Sequence, residues 1–531
     1  MGVTSLITSQ LLLLLLLALP GLCVTSSMED ALTVHTDTGS YTGLYNPEYP
    51  SVREFRSIAY AQPPVGALRW QPPVALPASH AHHNATQFPP ACSQYVYRGP
   101  AFFGVLAPDY LIWNGPDQNS TAGAVAHNSA EDCLHLAIWT PANATRTSRL
   151  PVLVFYSGGQ FRTGGIPVPY QLPPAWVNRT QGHIVVTTNY RLNIMGFPNA
   201  AGLADQDQNL GILDQRAALE WVHRNIAAFG GDPSAITLWG QSAGAMSVDY
   251  HTYAFWDNLL ARATISQSGT ALKTTPATDP SHSNFTFVAK HLGCDFGEDG
   301  AKELDCMRRV PVERIQEFVG QYGDAKTEPT MTFAPVADEK VIFADYAARA
   351  AQGYLANTSA IFSNCANEAA PLYPFPSTNV SAGPWQAGVD TVTLRDWLCP
   401  TAKASVVRHQ AGLKTWRAQW AGNFSDVSPL KWMGAYHSSD LTMHFGTFGI
   451  VGGKGTEVEV ETSQVMQDYL FEFIKDPEHG LERKGWMAFN PEAEGGGIMK
   501  RFGAQGVVEQ DVTGDEVQGA CWGEGVYDPF P

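Results

Sequence analysis

From residue 150 onward, short unbroken apolar runs alternate with stretches of helical spacing. LPVLVFY (150–156) is followed closely by glycines, and HIVVTTNY (183–190) is rich in β-branched residues. Runs of this length with little polar alternation suit strands buried on both faces, as in a parallel sheet. DQRAALEWVHRNIAAF (214–229) carries Ala217, Leu219, Val222, Ile226 and Phe229 at helical intervals, and FGGDP stops it. SAITLWG (234–240) reads as the next strand, and AGAMSVDYHTYAFW begins the next helix. This strand, helix, strand, helix order predicts an α/β fold with a mostly parallel central sheet flanked by helices. The turn-rich stretch from Thr33 to Arg69 predicts an antiparallel hairpin region ahead of that sheet.

The N-terminus has a different pattern. Its apolar run from Leu11 to Leu22 is too short to span a bilayer comfortably, and small and polar residues follow it. That is the shape of a secretory signal peptide over about residues 1–26, leaving 27–531 as a single domain. A short membrane anchor is the alternative; no later run resembles a transmembrane helix. Asn-x-Ser/Thr sequons at Asn84, Asn119, Asn143, Asn178, Asn284, Asn357, Asn379 and Asn423 fit a glycosylated, secreted surface. Setting aside Cys23 in the signal segment, seven of the eight cysteines remain. An oxidising compartment would pair most and leave one free. The formal net charge of −17 repels nucleic acid and anionic membranes.

Chemistry enters at Gly240-Gln241-Ser242-Ala243-Gly244, between an expected strand and an expected helix. G-x-S-x-G alone is a loose pattern, and its glycines can serve packing only. A sharp strand-to-helix turn makes it specific, because only small residues fit its flanks and the serine is lifted out of the sheet edge. The helix then begins just after Ser242, so its first amides face any developing negative charge.

The run FGGDPSAITLWGQSAG (229–244) resembles the signature of type-B carboxylesterases, the α/β-hydrolase family that includes cholinesterases, secreted carboxylesterases and certain fungal lipases. EDCLHLAIW (131–139), RSIAYAQPPVGALRW (56–70), NYRLNIMGF (189–197) and NLGILDQRAALEWV (209–222) extend the likeness, with weaker matches to about residue 446. It implies carboxylic ester hydrolysis without cofactor or metal, on a small-molecule or lipid ester, with oligomeric state open. A serine hydroxyl needs a base, and the base needs a carboxylate to fix its tautomer. The resemblance supplies Glu368 from Asn367-Glu368-Ala369 and His437 from GAYHSSDLTMHFG (434–446). His444 is the nearby competitor. The likeness also implies an oxyanion hole from the backbone amides of Gly159, Gln160 and Ala243, and disulfides Cys92–Cys133 and Cys294–Cys306. Cys399 with Cys521 is a third candidate pair, leaving Cys365 free.

Three positions depart from the family pattern. Gln160 stands where the family has glycine, so its backbone must avoid a shape reserved for glycine. Gln241 replaces the usual glutamate, which removes a negative charge beside the histidine and argues against a preference for quaternary ammonium substrates. Ser438 replaces the glycine after the histidine. The loop from Cys92 to Cys133 holds Tyr95, Tyr97, Phe102, Phe103, Tyr110, Leu111 and Trp113. It is compatible with a lid, a gorge wall or packing alone. Two other functions use the same residues. One is a biosynthetic transacylase or lactone-processing enzyme. The other is a catalytically silent interaction protein, against which the intact triad speaks.

Overall fold

The computed structural model describes residues 32–98, 123–203, 206–273, 279–376 and 378–531. The apolar runs form one sheet of eleven strands. In chain order these are β1 (Leu44–Tyr45), β2 (Val52–Ala59), β3 (His135–Pro141), β4 (Leu150–Tyr156), β5 (Ile184–Thr188), β6 (Gly231–Gln241), β7 (Ala263–Gln267), β8 (Ser359–Cys365), β9 (Thr415–Trp420), β10 (Ile498–Phe502) and β11 (Glu509–Thr513). Across the sheet they lie β1-β2-β3-β5-β4-β6-β7-β8-β9-β10-β11. Neighbours from β5 to β10 are parallel; β1, β2, β3 and β11 join antiparallel. The Thr33–Arg69 region does hold a hairpin, Thr33–Thr36 against Gly39–Thr42.

The unbroken apolar runs follow from burial on two faces. Along β4, Leu153 and Phe155 pack with Trp239 and Ile265 on one face. Val152, Val154 and Tyr156 pack with Val186, Ile236 and Leu238 on the other. Each such side chain removed from water stabilises the fold by roughly 1.5–3 kcal/mol. Helices α1 (Leu210–Asn225), α2 (Ala243–Ala254), α3 (Cys399–Gln410), α4 (Ser439–Phe445) and α5 (Glu457–Lys475) are those that bear on the site. The start of α1 lies four residues ahead of the expected one, because Leu210 and Ile212 are also buried. Its last expected turn, Ile226–Phe229, tightens to a 3-10 turn closed by Gly230 at φ +97°.

Disulfides join Cys92 to Cys133, Cys294 to Cys306 and Cys399 to Cys521, and Cys365 is free and buried. Among the described residues no helix is long and apolar enough to cross a membrane. Asn84, Asn143, Asn357, Asn379 and Asn423 are exposed, whereas Asn178 and Asn284 are half-buried. Asn119, the signal segment, Phe102, Phe103, Tyr110, Leu111 and Trp113 lie outside the described residues. Of that aromatic loop, Tyr95 is buried, with its hydroxyl donating to Asp324 at 2.9 Å and its ring against Tyr97.

One buried ion pair ties α1 to the loop after β5. Asp214 accepts from Arg191 through Nε (2.8 Å), Nη2 (2.7 Å) and the backbone N–H (3.0 Å). Both side chains are sealed from solvent, so removing one partner strands a charge. Asp214→Ala is expected to cost about 3–5 kcal/mol, read as a lower urea midpoint. A midpoint equal to wild type would mean that this pair does not hold α1 in place.

Candidate active site

The turn between β6 and α2 places Ser242 in an unusual backbone shape, φ +56° and ψ −121°. Strain of this kind persists only where the surroundings enforce it. Here a Cβ on Gly240 would lie 2.2 Å from the Gly244 carbonyl oxygen, and one on Gly244 would lie 1.9 Å from that of Tyr156. No side chain fits either gap. The Ser242 N–H donates to the Gln267 carbonyl at 2.8 Å, which anchors the turn to the end of β7. Within 241–250 Ser242 alone escapes full burial.

Glu368 and His437 come from separate loops, 69 residues apart, that Asn367 ties together. The Asn367 N–H donates to the Ala435 carbonyl, and its amide Nδ2 donates to the carbonyls of Trp432 and Met433, all at 2.9 Å. Glu368 is wholly buried. Its Oε2 accepts from His437 Nδ1 at 2.6 Å, and its Oε1 accepts from the Cys365 N–H at 2.8 Å. A carboxylate on Nδ1 fixes the tautomer and leaves the Nε2 lone pair free to act as a base. Ser438 takes φ +72°, so the position after the histidine is left-handed, which is why a glycine suits it.

The Nε2 atom meets Gln241 first. The Gln241 side-chain Nε2 lies 3.2 Å from it and donates to it, whereas Ser242 Oγ makes no hydrogen bond among the described residues. The residue in place of the usual glutamate is therefore a neutral cap on this nitrogen. His444 is elsewhere: from α4 it packs against Trp239 of β6, and burial pushes its imidazole down to about 3.

The loop after β4 passes over the serine. A Cβ on Gly158 would sit 3.0 Å from Ser242 Cβ. Among the described residues, the N–H groups of Gly159, Gln160 and Ala243 take no hydrogen-bond partner. The loop is held by other groups: Arg162 and Thr163 donate their N–H to the Gly159 carbonyl at 2.9 and 3.1 Å, and Gln94 bridges both polar groups of the Gly164 backbone at 3.0 Å. Gln160 has φ +58°, as does Phe161. The expectation that residue 160 would avoid the conformation favoured by glycine is thus overturned. This is the small left-handed region, which an isolated L-residue can occupy at a cost of about 1–2 kcal/mol. The Gln160 side chain is exposed.

Two further groups near the site carried no assigned role in the sequence. Asp440, three residues after His437 on α4, is wholly buried; its Oδ2 accepts from Gln267 Nε2 at 2.9 Å. Gln267 Oε1 in turn accepts from the Trp239 indole. Trp397 packs its ring 5.2 Å from that of His437. The pattern H-x-x-[ED] marks position 440, but Trp397 lies 40 residues earlier and no local pattern points to it.

A family model described as the carboxylesterase family matches residues 30–382. The chain belongs to the carboxylesterase family. Secreted lipase 5 of Gibberella zeae is 37 % identical over 96 % of this chain and 98 % of its own length. Chlorogenic acid esterase of Aspergillus niger is 38 % identical over 90 % of this chain and 93 % of its own. Cholinesterase of Mus musculus is 36 % identical over 58 % of this chain and 48 % of its own. The family fold is the α/β-hydrolase fold, and this carboxylesterase is a serine carboxylic ester hydrolase.

Burial pushes Asp440 up from 3.8 to about 7, and the nearby Glu368 charge adds to the rise. The folded state therefore keeps a proton that the unfolded state releases. The stability from this group is fully present below pH 3.8 and is lost progressively as pH rises through about 7. Asp440→Asn is expected to flatten the decline of thermal midpoint between pH 4 and pH 8. An unchanged slope would assign that decline to other groups.

Proposed function

We propose that this carboxylesterase works by two-step acyl transfer, with Ser242 as nucleophile, His437 as base and Glu368 as the orienting acid. The observation that carries this reading is the 2.6 Å contact between Glu368 and His437 Nδ1, sealed from water beside a serine held in strain. Ser242 Oγ attacks the ester carbonyl while His437 Nε2 takes its proton. The carbonyl oxygen becomes an oxyanion and rests on the N–H groups of Gly159, Gln160 and Ala243. Donors that take no other partner among the described residues, two in a braced loop and one at the start of α2, suit this task, since they need not reorganise as charge develops. The imidazolium then protonates the departing alcohol. Water, deprotonated by the same nitrogen, releases the acid and restores Ser242.

Gln241 adds a step before attack. Its amide must leave His437 Nε2 so that the Ser242 hydroxyl can take its place, a rotation about side-chain bonds. A glutamate there would accept a hydrogen bond from the imidazolium instead.

The substrate class is a carboxylic ester of small-molecule or lipid type. Relatives named secreted lipase 5 and chlorogenic acid esterase support this reading, and the first supports a secreted location. The apolar segment Leu11–Leu22 would serve as the export signal, and the exposed sequons as glycosylation sites.

Ser242→Ala is expected to lower hydrolysis of 4-nitrophenyl esters, assayed from acetate to palmitate, by on the order of a thousandfold or more. Retention of most turnover would overturn the mechanism. Gln241→Glu is expected to move the acidic limb of the kcat/KM profile to higher pH, because the new carboxylate favours the protonated base. An unmoved limb would mean that residue 241 does not act on the base.

A further inference from the structure

Over the Trp397 ring stands a positive charge that no ion pair neutralises among the described residues. Lys273 is half-buried, and its Nζ sits 4.2 Å from the centroid of the Trp397 ring, the ring that packs on His437. Among the described residues this ammonium makes no hydrogen bond and no ion pair within 4 Å. The two carboxylates whose fields reach it are already engaged. Asp396 accepts from Arg395 at 2.7 and 2.9 Å, and Glu368 accepts from His437 and the Cys365 N–H. Burial consequently outweighs their attraction and holds the ammonium below its ordinary pKa. The Trp397 indole N–H is buried and has no acceptor among the described residues either.

Such an arrangement costs stability, because a cation drawn partly out of water is normally paired. Carboxylates were not scarce: the chain has 50 Asp and Glu against 33 Lys and Arg. Moreover, the lysine is built into a braced turn. Asp249 on α2 accepts from the Thr270 hydroxyl and the Ala271 N–H, both at 2.7 Å, and the Lys273 N–H donates to the Thr270 carbonyl at 3.2 Å. The same loop begins beneath the nucleophile, where a Cβ on Gly269 would lie 2.4 Å from the Ser242 carbonyl oxygen. It therefore leaves the sheet at the rim where substrate must bind.

Resting on the acyl-transfer reading, we propose that Lys273, seated on Trp397, is a subsite for a carboxylate carried by the ester substrate, so that the enzyme prefers esters bearing a negative charge. The carboxylate supplies the partner the ammonium lacks, in a place where screening by water is reduced. A braced lysine is already oriented for it, which limits the ordering cost of binding.

Two matched pairs of esters test this. 4-Nitrophenyl hydrogen terephthalate and its methyl ester place the charge on the acyl side. 4-Acetoxybenzoate and its methyl ester place it on the alcohol side. The quantity read is the ratio of kcat/KM for charged over neutral ester. In Lys273→Met and Lys273→Gln this ratio is expected to fall about tenfold or more for at least one pair. Lys273→Arg is expected to restore much of it, and added KCl to reduce it in the wild type. A ratio unchanged in both pairs, or set by an equal fall of charged and neutral esters, would overturn the subsite. Neutral-ester turnover that survives Ser242→Ala would instead overturn the acyl-transfer reading on which it rests.

Discussion

A carbon atom on Gly244 would stand 1.9 Å from the carbonyl oxygen of Tyr156, and one on Gly240 would stand 2.2 Å from that of Gly244. The rest of the site depends on this close approach. It lets β6 turn into α2 within one residue, and that turn forces Ser242 to φ +56°. The strain is sustained by what surrounds it: a parallel sheet packed on both faces, and an N–H bond from Ser242 to the end of β7. The folding energy of a large core thus holds one residue in a conformation it would not adopt alone. The loop after β4 can then lie directly over the serine, with Gly158 at the contact.

Charge around this turn is arranged sparingly. Among the described residues Glu368 is the one carboxylate bonded to His437, and its two oxygens are each committed, one to His437 and one to a backbone N–H. A second carboxyl, Asp440, lies close enough to feel it, and burial beside that charge keeps Asp440 protonated to about neutrality. Gln241 introduces no charge. A glutamate in its place would set a third carboxylate against the other two in a low-dielectric interior, where like charges repel strongly. Lys273 then stands near these groups as a cation without a fixed partner among the described residues.

Much of the fold was legible because buried parallel strands leave a plain trace. LPVLVFY (150–156) coincides with β4, since all seven residues lie inside a sheet covered on two sides. Helix α1 was harder to bound. Its buried face includes Asp214, Gln215 and Arg216, so apolar spacing alone misjudges where it begins. At the site, G-x-S-x-G and the family motifs singled out Ser242, Glu368 and His437 as the proposed triad, because each motif encodes a backbone shape as well as a side chain. Ser438 and Gln160 show the limit of that logic. Both stand where glycine is usual, and both are left-handed, so the backbone shape is kept without the residue that makes it easy.

What the sequence hid is of one kind: contacts made by side chains that arrive from distant elements. Gln241 was visible as a departure, but its hydrogen bond to His437 spans 196 residues. Lys273 and Trp397 lie 124 residues apart, and neither has a spacing that suggests the other. The catalytic motifs are local because a turn must be right before any chemistry is possible. Specificity needs only that a side chain reach the rim from some loop, so any of several positions will serve. A pattern in sequence therefore marks the reaction far better than the substrate, and the substrate has to be read from charges and donors that the folded chain leaves without partners.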